Sequence, residues 1–370
     1  MLTWLEIDTQ AIKHNLKEFR RHLGRKILLM PVIKANAYGH GFLGVAKLLD
    51  QSREVDRLCV VSLDEALKLI KNKITKPVLI LSFYDLEIKK LLPAVKNEII
   101  FPLYNLEQAK ILNAVGERAG KIVKVHLKVD TGAARIGLAP GEVIKFVNQI
   151  KKYRHIKITG LFSHFASSED DRGYTLRQIK VFNKIYRDLR QTGINIKEQH
   201  LACSAASLLY PTANFNAVRL GLSLYGLYPN PKSKTKIKLR PALSWYAKIV
   251  QIKQIPKGAR IGYGGTFITT KPTTLAVIPV GYFDGYDRRF SNKAQVLIKG
   301  QKCPIRGRIC MNLSMMDITG LKGVKQGDKA VLIGQIKLNS VSVDNLAKIA
   351  RTINYEIVDR INPLLPRIYI

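Results

Sequence analysis

The fold class predicted by this α/β sequence is a (β/α)8 TIM-like barrel followed by a mainly β C-terminal domain. Three observations predict it. Eight short apolar runs recur near residues 26–33, 57–62, 78–82, 98–103, 123–129, 158–163, 199–203 and 217–223. Amphipathic segments separate most of them, the alternation expected of buried strands and the helices that cover them. After about residue 230 the rhythm changes to shorter strand-like runs, 243–255, 274–282, 294–299 and 304–317, parted by Gly, Pro and Lys turns. About 220 residues suffice to close eight strands into a barrel. An open doubly wound sheet would want a GxGxxG turn after its first strand, and the sequence has none.

In order along the chain, Thr3 to Asp8 alternates weakly and reads as a strand. It precedes the first barrel helix, so it is expected to pair with the β domain. The domains are therefore read as 9–230 for the barrel and 231–370 for the β domain, with strand 2–8 joined to the latter. Thr9 precedes a helix carrying Ile12, Leu16, Phe19 and Leu23 on one face. Ser62-Leu63-Asp64-Glu65 has the pattern of a capping box opening a helix through Ile70. Leu106 to Val115 and Gly141 to Ile150 are further helices. Thr175 to Leu189 is another, with Ile179, Phe182 and Ile185 as its buried stripe. In the second domain helical pattern is scarce until Val343 to Arg351.

Composition narrows the class. The chain has 370 residues, 46% hydrophobic and 24% charged, which describes a soluble globular protein rather than a disordered one. Its start lacks the basic flank and apolar run of a signal peptide. No apolar stretch approaches the roughly 20 residues of a membrane span. Cys59, Cys203, Cys303 and Cys310 show no CxxC spacing, which suits a reducing cytoplasm and no zinc or other metal site. The net charge of +34 favours anionic ligands in general, and it is spread over both halves. Its densest cluster, Lys232 to Arg240, lacks the interleaved aromatics used to stack on bases, so it reads as a solvated linker and not as a nucleic-acid arm. Neither a specific nucleic acid nor a membrane is an expected partner.

A barrel carries its chemistry at the C-terminal ends of its strands. The first of these ends in Val32-Ile33-Lys34-Ala35-Asn36-Ala37-Tyr38-Gly39-His40-Gly41. Burial disfavours the charged form of a lysine, and a neutral amine can form a Schiff base with an aldehyde. Lys34 is therefore a candidate carrier of pyridoxal phosphate, although a single lysine is more often a surface charge. Arg135 follows the fifth strand and His164 ends the sixth. Ser204 follows the seventh, and Arg219, Gly221 and Leu222 lie in or at the end of the eighth. Such barrels often bind phosphate beside the last two strands, where Ser204 offers a hydroxyl and Gly221 allows close approach of backbone N–H groups. Taken singly, His164 reads as a core histidine, Arg219 as a structural ion-pair partner and Ser204 as a helix N-cap. Their common placement on one rim favours the functional reading.

These segments resemble the alanine racemases, fold-type III pyridoxal phosphate enzymes, over essentially the whole length. The resemblance is carried by residues 32–41, Lys128 to Gly137, Gly160 to Ala166, Ser204 to Ala206 and Val218 to Gly226. It continues in Gly262-Tyr263-Gly264, Pro279 to Arg289, Gly307 to Met311 and Asn354-Tyr355-Glu356. It implies racemisation of L-alanine and D-alanine by a two-base mechanism, supplying D-alanine for peptidoglycan precursors, with pyridoxal 5'-phosphate as cofactor. Lys34 is implied to bind the cofactor and serve one face of the substrate. Tyr263 is implied to serve the other face, from the second subunit of a head-to-tail homodimer with shared active sites. Arg219 is expected to face the pyridine nitrogen with His164 beside it. Tyr38, Ser204, Gly221, Leu222 and Tyr355 are expected to hold the phosphate. Arg135, together with Met311 of the other subunit, is expected to bind the substrate carboxylate. Lys128 matches a lysine that is carbamylated in some members, where it orients the arginine at position 135.

The sequence departs from the usual pattern at Cys203 (commonly Asn), Leu220 (Pro), Ala133-Ala134 (Met-Gly) and Asn312 (Asp). The first three read as packing changes. Asn312 removes a negative charge near the substrate entrance and keeps open an alternative, a broad-specificity racemase acting on serine or basic amino acids. The retained Tyr355 argues against a pocket adapted to serine. A non-catalytic pyridoxal phosphate-binding protein would resemble only the barrel half.

Overall fold

The computed structural model describes residues 1–230, 233–234 and 236–370. Pro231, Lys232 and Thr235 lie outside the described residues, and with them the expected domain boundary at 230–231 and the start of the basic linker segment. The chain divides into two compact units. One comprises residues 12–37 and 42–240, the other residues 1–11, 38–41 and 241–370.

The chain opens with β1 (Thr3–Ile7) and α1 (Thr9–Leu23). Asp8 caps α1 in place of the expected Thr9, because its Oδ1 accepts the Ala11 N–H at 2.8 Å. In the first unit eight parallel strands follow: β2 (Leu28–Pro31), β3 (Leu58–Val60), β4 (Val78–Ile80), β5 (Phe101–Leu103), β6 (Val123–Lys128), β7 (Ile156–Phe162), β8 (Glu198–His200) and β9 (Ala217–Leu220). Each neighbours the next, through full ladders or through single bridges such as Val32 with Cys59 and Leu79 with Ile100. Arg219 N–H reaches the Ala202 carbonyl at 3.1 Å. Pairing of β2 with β9 closes the ring. All eight strands expected from the apolar runs are present; most are shorter than expected, while β7 and β8 begin two residues and one residue earlier.

The covering helices follow the apolar stripes. α2 (Lys34–Tyr38) is treated below; α3 (Phe42–Asp50), α4 (Leu63–Lys71), α5 (Ile88–Lys96), α6 (Leu106–Ala119), α7 (Val143–Ile150), α8 (Arg172–Gln191) and α9 (Ser204–Leu209) complete the set. Pro93 inside α5 hides that helix in the sequence, yet Leu91, Ala94 and Val95 bury a coherent face. α8 presents Ile179, Phe182 and Ile185 inward as expected. At α4 Ser62 caps the Glu65 N–H. The reciprocal half of the capping box is diverted: Glu65 Oε2 takes the Val61 N–H at 2.8 Å and Oε1 the Ala35 N–H at 3.0 Å. That diversion ties the helix to the segment after Lys34.

The other unit is mainly β. Its larger sheet runs β16 (Gln301–Pro304), β15 (Gln295–Ile298), β18 (Lys329–Ile336), β10 (Leu243–Lys248), β1 and β20 (Arg367–Tyr369), with β19 (Asn339–Val341) on β18. β1 pairs antiparallel with β10 and parallel with β20. β11 (Gln251–Ile255), β14 (Thr273–Ile278) and β17 (Ser314–Asp317) form a second sheet, and β12 (Arg260–Ile261) pairs with β13 (Phe267–Ile268). The stretch 304–317 is therefore two strand ends joined by a loop, because a turn at Gly307, at φ +76°, breaks it. Trp245, Tyr286 and Phe290 fill the core. α10 (Val343–Ala350) matches the expected helix, and α11 (Asn354–Asp359) follows it. Among the described residues no helix is long and apolar enough to cross a membrane.

Gly39 is fixed by this unit. Its φ is +79°, and a Cβ there would collide with the Val358 carbonyl. Gly39→Ala should therefore lower the thermal unfolding midpoint by roughly 5 °C or more, a loss of several kcal/mol from backbone strain and overlap. Scanning calorimetry of the two proteins measures it.

Candidate active site

At the end of β9 the guanidinium of Arg219 is only 4% exposed. Its Nη1 donates to His200 Nδ1 at 2.6 Å and to the His200 carbonyl at 2.8 Å. Its Nη2 donates to the carbonyls of Ser163 (2.7 Å) and Leu201 (3.1 Å) and to His164 Nδ1 (3.3 Å). Each of these acceptors is electrically neutral, so the charge is solvated by dipoles.

More positive charge gathers around it. Lys128, at the end of β6, donates to the Leu81 carbonyl at 2.5 Å and lies 5.3 Å from the Phe162 ring centre. Burial, and then the charges of Arg219, Arg135 and Lys34, bring its amine down from 10.5 to about 7, with Asp130 pulling the other way. His164 is held well below the ordinary imidazole range, first by burial and then by Arg219, Arg135, Lys34 and Lys128.

Asp130 is committed to the backbone. Its Oδ1 accepts the N–H groups of Gly132, Ala133 and Ala134, and its Oδ2 that of Arg135. Burial works to raise its pKa, and the four N–H groups outweigh that and lower it. The turn they make delivers an exposed Arg135. It also holds Ala134 at φ +50°. The change from the usual glycine at 134 is thus not a matter of packing: it places a Cβ in left-handed backbone.

Lys34, half-buried, lies three residues past the last ladder pair of β2. The segment after it is not a right-handed helix. Ala35, Asn36, Ala37 and Tyr38 all have φ of 52–53°. The Ala35 N–H is held by Glu65, the Ala37 N–H by the Ile33 carbonyl at 2.9 Å, and Asn36 Oδ1 takes the Phe42 N–H at 2.9 Å. Beyond β8, Ser204 is the first residue of α9 and not its cap; Cys203 is the N-cap and makes no side-chain bond to the helix. The Ser204 hydroxyl instead accepts the Gly221 N–H at 3.0 Å and the Ser223 N–H at 3.4 Å. It thereby fixes the turn that exits β9, where Leu222 is buried.

The remaining expected residues belong to the other unit. Tyr38 and Tyr355 face each other there with ring centres 6.2 Å apart. Tyr263 is 71% and Met311 54% exposed, on loops, and Asn312 beside it is exposed as well. The structure thus gathers Lys34, Lys128, Arg135, His164 and Arg219 into one field and joins Ser204 to Gly221. Tyr263, Met311 and Asn312 belong to the other unit and are exposed there. Sequence reading missed His126, His200, Arg57 and Glu198, which stand behind Arg219 inside the barrel. The available signal was slight: one histidine inside β6 and one at the end of β8, in otherwise ordinary strand patterns.

The donor set fits an anionic cofactor carrying an aromatic ring. Lys128 has three cationic neighbours, Arg219, Arg135 and Lys34, against one carboxylate, and that carboxylate is already taken by backbone N–H groups. A phosphate and a substrate carboxylate would restore the balance. Pyridoxal phosphate supplies the first, and it needs an amine such as that of Lys34.

Comparison with known proteins agrees. The family model of the alanine racemase N-terminal domain matches residues 7–229, and that of the C-terminal domain matches residues 242–369. Alanine racemase 2 of Caldanaerobacter subterraneus subsp. tengcongensis is 39% identical over 370 residues, covering 100% of this chain and 95% of that protein. Alanine racemase of Methanococcus maripaludis is 38% identical, covering 99% of this chain and 98% of that protein. Among solved structures, alanine racemase of Clostridium difficile 630 superposes with a TM-score of 0.93 at 35% identity, covering 100% of this chain and 96% of that one.

Two predictions come from the geometry. Ala134→Gly should stabilise the protein by about 1 kcal/mol by relieving left-handed backbone, seen as a raised unfolding midpoint. Lys128 binds its proton less tightly in the folded chain, at about 7, than at its ordinary value of 10.5. The unfolded state therefore holds more protons between those values, and stability should rise with pH across that window. Lys128→Met should flatten the rise, measured by denaturant unfolding against pH with carbon dioxide excluded.

Proposed function

The chain belongs to the alanine racemase family, and from that premise we propose that it interconverts L- and D-alanine with two bases, one from each of two subunits. The product D-alanine would serve peptidoglycan precursors. The observation that carries the reading is the cationic field around Arg219, Lys128, Arg135 and Lys34, which asks for the two anions that pyridoxal phosphate and an amino acid bring. When bound, pyridoxal phosphate supplies an electron-withdrawing ring that stabilises the charge left at Cα as its proton departs.

Lys34 would hold the cofactor through Nζ in the resting enzyme, and with that amine released in exchange for the substrate's amine it would move the proton at one face of Cα. Tyr263 Oη moves the proton at the opposite face. In a single chain Tyr263 and Met311 are exposed on loops, which supports their serving the site of a second copy; each site of the homodimer is then built from both chains. Arg219 faces the ring nitrogen. Its guanidinium is permanently charged, so it donates a hydrogen bond and gives up no proton, and the ring's pull stays moderate. His164 accepts from Arg219 on Nδ1, which leaves its proton on Nε2. Ser204, Gly221 and Leu222 would hold the phosphate. Arg135 and the backbone N–H of Met311 hold the substrate carboxylate. An amine brought down to about 7, as at Lys128, is substantially neutral at physiological pH and suited to capture carbon dioxide as a carbamate. That anion would orient Arg135. Asn312 leaves the substrate entrance without the usual carboxylate. We place the enzyme in the cytoplasm, a reading supported by four free thiols.

Borohydride should trap the cofactor irreversibly on the wild type and leave none on Lys34→Ala. Tyr263→Phe should lose about 10²–10⁴-fold in kcat in both directions. Full activity of Tyr263→Phe would sink the two-base assignment. Mixing the two inactive variants should restore about a quarter of the wild-type sites, since a mixed dimer assembles one intact site. No recovery on mixing would mean that each chain works alone. Mass spectrometry of the intact protein in bicarbonate should show the added mass of one carbon dioxide, lost in Lys128→Met.

A further inference from the structure

Behind Arg219 the barrel interior holds a chain of polar groups that the reaction as described does not use. His200 Nδ1 faces the Arg219 Nη1 donor at 2.6 Å. An arginine can only donate, so His200 Nδ1 carries a lone pair and its proton is on Nε2. That Nε2 lies 2.8 Å from His126 Nδ1. His126 Nδ1 must in turn accept, which puts its own proton on Nε2. His126 Nε2 lies 3.5 Å from Glu198 Oε2, and Glu198 is paired through both oxygens with Arg57. Both ring N–H groups run away from Arg219; that of His126 lies toward the Glu198–Arg57 pair, 3.5 Å from Glu198 Oε2, and makes no hydrogen bond. Both rings are fully buried.

The backbone is shaped around this arrangement. A Cβ at Gly160 would lie 2.5 Å from the His126 ring, so only glycine in β7 leaves room for it. The β6–β7 ladder shifts register between Val125 and His126, opposite that glycine. On the other side the Phe162 ring stacks on His200 at 4.8 Å and 10°. A histidine serving only as core filler would need neither a fixed tautomer nor a glycine cut to its outline.

We propose that His200 and His126 form a one-directional N–H chain that positions Arg219 against the cofactor ring, with His126 fixing the direction. This rests on the placement of Arg219 at the ring nitrogen. Without the His126 acceptor, the Nε2–H of His200 would be buried and unpaired. The other tautomer would pair it but turn an N–H toward the Arg219 donor, and the guanidinium would be displaced. Both imidazoles are held well below their ordinary range, by burial first, then by Arg57 and Arg219 at His126 and by Arg219 at His200. They therefore stay neutral, as the chain requires. His126 and His200 are positioning residues: they act through Arg219.

Nitrogen NMR of the holoenzyme labelled in its seven histidine rings should show His126 and His200 neutral with the proton on Nε2. His126→Asn keeps an acceptor near the Nδ1 position and should stay within about 3-fold of wild type. His126→Phe keeps ring volume but no acceptor. It should lose roughly 10-fold or more in kcat with KM within about 3-fold, and it should move the His200 signal away from the Nε2–H tautomer. A cationic or Nδ1-protonated His200 in the wild type would overturn the proposal. So would a His126→Phe enzyme that matches His126→Asn in both kinetics and tautomer. If His126→Phe does not fold, the wild-type tautomers decide. If the wild type does not racemise alanine, the functional reading fails, while the tautomers still report on the chain.

Discussion

A permanently charged guanidinium buried among neutral acceptors is the constraint from which the rest of the candidate site follows. Removing an ion from water costs several kcal/mol even after relaxation. At Arg219 the compensation shown is a set of aimed dipoles, the carbonyls of Ser163, His200 and Leu201 and two imidazole lone pairs. Dipoles stabilise the charge without cancelling it, so its field reaches its neighbours. It weakens the proton on Lys128 and helps keep His164 and His200 neutral. Acceptors of this kind leave the field available to an anionic ring system. The same reasoning explains why Asp130, the carboxylate beside Lys128, is spent on four backbone N–H groups: tied to the turn, it shapes the backbone that carries Arg135.

The segment after Lys34 shows a second cost borne at the site. Four consecutive non-glycine residues in left-handed backbone cost about 1–2 kcal/mol each. Strain of this kind persists only where surrounding structure over-determines it. Here Glu65, Asn36 and the Ile33 carbonyl supply the restraint. The helix-capping glutamate of α4 is recruited for this, which is why its capping box is incomplete. A right-handed turn in this place would let the chain continue as a helix from β2 and would give Lys34 a different exit direction. The strain therefore lies in the aim of one side chain, and the flanking glycines extend that unusual backbone to Phe42.

Much of the fold was legible because it rests on periodicity. Eight apolar runs gave eight strands, and the stripe at Ile179, Phe182 and Ile185 gave α8. The losses were of two physical kinds. A local breaker masked an element whose buried face outweighs it, as with Pro93 in α5. Elsewhere a residue's partner lay far away in sequence. Nothing in Ser204-Ala205-Ala206 says that the hydroxyl turns to the Gly221 N–H and not to its own helix. Nothing near Ala134 says that its φ is positive. The rim residues were legible as types at strand ends. The His126–His200 chain was not, because a histidine in a strand has no spacing signature, and its role depends on which neighbour already donates.

The barrel and the loops divide the labour along a physical line. Groups whose value is a fixed charge, Arg219 above all, are held in a close-packed strand interior where a displacement of half an ångström would cost buried hydrogen bonds. Groups proposed to exchange protons are carried differently: Lys34 beside a strained turn, and Tyr263 on an exposed one. An electrostatic field must stand still to be pre-organised. A proton-transfer group must meet its substrate at the right face, and a loop can be reshaped for that without disturbing the strands. Arranged this way, the groups proposed to move protons can be re-aimed while the charge of Arg219 stays in place within the barrel.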